Sequence, residues 1–78
     1  MEMNDVLAVL RKEFMWTKRR LDRLAEAKME DFADAYESYE RRYDKFYHNL
    51  YFVINVTGLA EEELERQLGV NLRDIEFC

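Results

Sequence analysis

His48 is the only histidine of the chain, and Asp44 and Glu40 precede it by four and eight residues. That spacing sets all three on one side of a helix. One imidazole and two carboxylates are the raw material of a metal site or an acid–base pair. A di-iron carboxylate site, however, needs Glu-x-x-His on each of two helices, and Lys45 stands where that Glu would be. No nucleophile or orienting group is spaced to make His48 a catalyst. The only cysteine is Cys78, the last residue, so no internal disulfide can form and its thiol would react only through exposure. Two isolated glycines, Gly58 and Gly69, do not make a phosphate-binding loop. The residues therefore predict no catalytic site, no metal and no cofactor, and the expected class is a non-enzymatic protein.

Two other groupings suit recognition. Lys12, Arg19, Arg20 and Arg23 lie around one side of a helix with Trp16 among them, and Arg11 and Lys18 are close by. Such a basic face with an aromatic can grip phosphate or an acidic protein surface. It can equally be a solvated face paired with acids of a second helix or another subunit. The second grouping is aromatic. Trp16, Tyr47, Tyr51 and Phe52 fall outside the main apolar stripes, so they are candidate anchors for a protein partner.

A third pattern spans Leu64-x-x-x-Leu68-Gly69-Val70-Asn71-x-x-x-Ile75. It resembles the core of a helix-turn-helix: apolar residues in the first helix, a glycine turn, a polar cap, then an apolar residue of the second helix. The resemblance implies a nucleic-acid-associated regulator built on residues 59–77. The pattern departs from that family at Glu65, where a small residue is usual. Its second helix would also offer Arg73 against Asp74 and Glu76, and Glu61, Glu62, Glu63 and Glu65 would stand beside a DNA backbone.

The elements that must position these residues are helical. Met29, Phe32, Tyr36, Tyr39, Tyr43, Phe46, Leu50 and Val53 step by three and four without exception, which is one stripe down an α-helix. Met3, Leu7, Leu10, Phe14, Thr17, Leu21, Leu24 and Lys28 make an earlier stripe. The phase slips by one residue between Lys28 and Met29. Either the chain turns around Ala25–Asp31, with Asp31 capping the restart, or one long helix absorbs the slip and pairs with another chain. Helices are expected at about 4–27, 30–55 and 58–68. Asn4 or Asp5 is expected to cap the first, Thr57 to cap the third, and Gly69 to stop it. Residues 70–78 are expected to form a tail or a short helix capped by Asn71 that buries Leu72 and Ile75.

The expected fold is thus all-α: an antiparallel hairpin of two long helices, a short third helix and a C-terminal tail, assembled into a helical-bundle oligomer. At 78 residues the chain makes one small domain, and a core of that size is marginal alone. Apolar runs stop at five residues, too few for a membrane span, and Glu2 and Asp5 occupy the place of a signal peptide's basic start. A cytoplasmic location is expected. Residues 1–28 hold seven Lys/Arg against five Asp/Glu, whereas 29–56 hold three against six and 57–78 two against six. With a net charge of −5, general affinity for nucleic acid is not expected. The expected partners are a second copy of the chain and another protein, with nucleic acid the alternative.

Overall fold

The computed structural model describes residues 2–77, and within them the regular structure is entirely helical. Helix α1 spans Met3–Ala25, α2 Phe32–Thr57 and α3 Glu61–Leu68; 3-10 turns occupy Met29–Asp31 and Leu72–Ile75. No described helix is long and apolar enough to cross a membrane. A single helix over residues 3–57 would run about 80 Å at ~1.5 Å per residue. The longest dimension of the molecule is 42 Å, so α1 and α2 are separate helices packed on one another.

The break is set by burial, not by local preference. Ala25-Glu26-Ala27-Lys28 are all good helix formers. Yet the Glu26 N–H turns back to the Arg23 and Leu24 carbonyls, and Lys28 is extended (ψ 161°). Propensity differences there amount to a few tenths of a kcal/mol per residue. Burying one large apolar side chain is worth about 1.5–3 kcal/mol, so the packing of α1 against α2 decides. Asp31 occupies the N-cap position of α2, but its side chain makes no capping hydrogen bond.

The core is one cluster. Leu7, Leu10 and Phe14 of α1 meet Phe46, Leu50 and Val53 of α2, and Leu64, Leu68, Leu72 and Ile75 close it from the C-terminal third. Phe14 and Phe46 meet edge to face with ring centroids 5.7 Å apart. Near them the buried Glu13 carboxylate accepts the Asn49 amide at 2.9 and 3.0 Å. The Thr17 hydroxyl donates to the Glu13 carbonyl at 2.8 Å, which lets a polar residue sit fully buried in the apolar stripe.

Both glycines terminate helices in the left-handed region, Gly58 after α2 (φ 73°) and Gly69 after α3 (φ 72°). Thr57 does not cap α3. It is the last residue of α2, and its hydroxyl donates to the Val53 carbonyl at 2.7 Å and accepts from the Leu59 N–H at 3.2 Å. Ala60 takes the N-cap position of α3, and Glu2, ahead of Asn4 and Asp5, that of α1. Arg11 ties α3 to α1: its Nε donates to the Leu68 carbonyl at 3.1 Å and Nη2 to the Gln67 carbonyl at 3.2 Å. A cation is favourable at that negative helix end.

Candidate functional site

Side chains on α2 present two contrasting apolar surfaces. The first is a row of rings. Phe32, Tyr36, Tyr39, Tyr43, Tyr47 and Tyr51 follow one another with centroid separations of 4.7–6.3 Å. The steps of three and four residues that make a helical stripe also bring each ring against the next.

The C-terminal segment lies on this row. The Asn71 side chain accepts from the Arg73 N–H and opens the last turn, whose Leu72 and Ile75 are buried. The Glu65 carboxylate accepts the Leu72 N–H at 2.8 Å. The Tyr39 hydroxyl donates to the Ile75 carbonyl at 2.5 Å. The Glu76 carboxylate accepts the Tyr43 hydroxyl at 2.9 and 3.0 Å and the Tyr47 hydroxyl at 3.2 Å. Phe77 packs on Phe32, Tyr36 and Tyr39. Burial, then the neighbouring Glu76 charge, pushes the Tyr39 hydroxyl up to about 12. Burial and the bond to Glu76 do the same for Tyr43, also to about 12. Tyr47 is raised mainly by burial, and Tyr51 by burial and by Glu61, whose carboxylate accepts its hydroxyl at 3.3 Å.

The second surface is a hollow of about 400 Å³ lined by Met3, Val6, Phe52, Val53, Val56 and Thr57. It joins the start of α1 to the end of α2. Phe52 is 64% exposed and Val56 69%. Its lining carries no charge, and the one hydroxyl, that of Thr57, is already committed to Val53 and Leu59.

The four aromatic candidates do not gather on one surface. Tyr47 and Tyr51 belong to the ring row, and Phe52 lines the hollow. Trp16 lies under the Arg42 guanidinium, 5.0 Å from its ring centroid. The basic patch is likewise divided. Arg20 and Arg23 line a groove of about 610 Å³ between the end of α1 and the start of α2, together with Glu26, Glu30, Asp31 and Asp34. Arg20 also lines a smaller cavity of about 320 Å³ with Ser38, Arg41, Arg42 and Lys45. Lys12 and Arg19 are exposed and line neither. Arg11 is engaged with α3, and Lys18 pairs with Asp22 at 2.9 Å. Arg41, Arg42 and Lys45 do not stand out in the sequence because they are interleaved with acids along α2; only their placement beside Arg20 groups them.

His48 is exposed, and no group of three or more potential metal ligands occurs among the described residues. Cys78 lies outside the described residues. The segment that would serve as a recognition helix is one 3-10 turn of four residues, with Leu72 and Ile75 turned into the core. A groove-reading helix needs several exposed positions along its length. No family model matches the chain, and no curated protein or solved structure matches it either.

Proposed function

We infer that the protein is a small non-enzymatic interaction module: an antiparallel hairpin of α1 and α2, stiffened by α3 and the tail, that docks a second copy of itself through the Phe52–Val56 hollow. The contact pairs support the antiparallel hairpin. Position 13 meets 49, 14 meets 46 and 16 meets 42, so numbers fall on α2 as they rise on α1. The observation that carries the docking reading is the hollow's uncharged, mainly apolar lining, with Phe52 and Val56 left in solvent. Apolar side chains left in water are costly, and apolar surface is complementary to them. A second copy brings the same apolar residues, as an isologous twofold contact requires, and it enlarges a core that is small for an isolated chain.

Light scattering and sedimentation test the reading. The expected result is a dimer, twice the 9.5 kDa chain mass, whose melting temperature rises with protein concentration. Phe52→Glu sets a charge in the hollow and should return the monomer with its helical content intact. A wild-type chain that stays monomeric at high concentration, with a concentration-independent melting temperature, rules self-association out.

A further inference from the structure

The cavity beside Arg20 gathers charge of one sign. Arg20 comes from α1, Arg41, Arg42 and Lys45 from α2, and Ser38 stands one helical turn before Arg42. No carboxylate belongs to the lining, although the chain as a whole carries −5. Among the described residues only Arg41 of the four is in an ion pair, with Glu37 at 2.8 Å. Both partners of that pair are well exposed, so it exchanges easily with another anion. Arg42 is held over the Trp16 ring, which fixes its guanidinium without neutralising it. Arg20 Nε is shielded from solvent and finds no hydrogen-bond partner among the described residues.

The donors identify the ligand. Guanidinium forks match the oxygens of a tetrahedral oxyanion, Lys45 supplies a point charge, and Ser38 a neutral donor. The site is concave and about 320 Å³, at the small end of the ~300–1,000 Å³ range of ligand sites. A nucleic-acid backbone would need a stripe of cations, and the exposed Lys12 and Arg19 lie outside the cavity. We propose that this cavity binds a phosphate dianion, as the free ion or as the terminal phosphomonoester of a small molecule. Its residues are not those of the apolar hollow, so either site can fail without the other.

NMR titration of the isotope-labelled chain with inorganic phosphate and with phenyl phosphate, against sodium chloride at matched ionic strength, tests the site. Saturable shifts of Ser38, Arg42 and the Trp16 indole are expected. Equal affinities mark the free ion as the ligand, and tighter binding of phenyl phosphate marks an ester. Arg41 and Lys45 are exposed, so the double variant Arg41→Gln, Lys45→Gln should fold and bind about tenfold more weakly or worse, the usual loss with charged hydrogen bonds. Lys12→Gln, Arg19→Gln removes the same charge outside the cavity and should leave affinity unchanged. Shifts that merely follow chloride, or equal weakening in both double variants, overturn the proposal.

Discussion

The ring row and the hollow are both apolar surfaces of α2, yet they have opposite fates. The chain's own end lies along the row: Ile75 and Glu76 take three of its hydroxyls and Phe77 packs on three of its rings, which buries Tyr39 and leaves Phe32, Tyr36 and Tyr51 exposed. The hollow has no such cover, and Phe52 and Val56 stand in solvent. Surplus aromatics are therefore not by themselves a binding surface. Tyrosine carries a donor that a nearby carboxylate or carbonyl can satisfy within the chain, so Tyr39, Tyr43 and Tyr47 hold the fold together. Phe52 and Val56 carry no such donor, and they stay exposed.

Four substitutions distinguish the two surfaces. The largest effect is expected from Ile75→Ala, which empties a fully buried position under the tail. It should cost about 2–5 kcal/mol, read by denaturant unfolding, and loosen the Phe77 contacts with the row. Glu76→Gln should cost less, about 1 kcal/mol, because the carboxylate that accepts Tyr43 and Tyr47 is solvent-facing.

Alkaline pH probes the same clasp. The Tyr39 and Tyr43 hydroxyls are raised from 10.0 to about 12 in the folded chain. A raised folded value means their contribution to stability is complete below the unfolded value of 10.0 and is lost as pH climbs towards about 12. Tyr43→Phe should make that decline shallower, as measured by melting temperature against pH. The smallest effect belongs to the other surface. Phe52→Ala should change the stability of the monomer by no more than about 0.5 kcal/mol, while weakening self-association.

Some of these features are legible in the sequence and others are not. The α1 and α2 stripes were legible because a helix repeats its faces at a fixed period. Their burial was not: Met29 is 93% exposed although it heads the α2 stripe, and Phe32 and Tyr36 are also exposed, whereas Phe46 and Leu50 are fully covered. A period says which residues share a face, and an opposing surface decides whether that face is buried. The phase slip at Lys28–Met29 marked the break between the helices, but good helix formers there left a continuous helix open. Only the packing of Phe14 on Phe46 and of Glu13 on Asn49 closed that option.

What the chain determined alone is local. Gly58 and Gly69 stop their helices because left-handed backbone suits glycine, and Asn71 opens the last turn through its own side chain. The tertiary structure decided everything that needs two distant segments. It split Lys12, Arg19, Arg20 and Arg23 between groove and solvent, and it set Arg20 across from Arg41, Arg42 and Lys45. It also laid Glu76 over tyrosines about thirty residues earlier in the chain. Charge and hydrogen bonding act over a few ångströms in space, and distance along the chain does not record that separation.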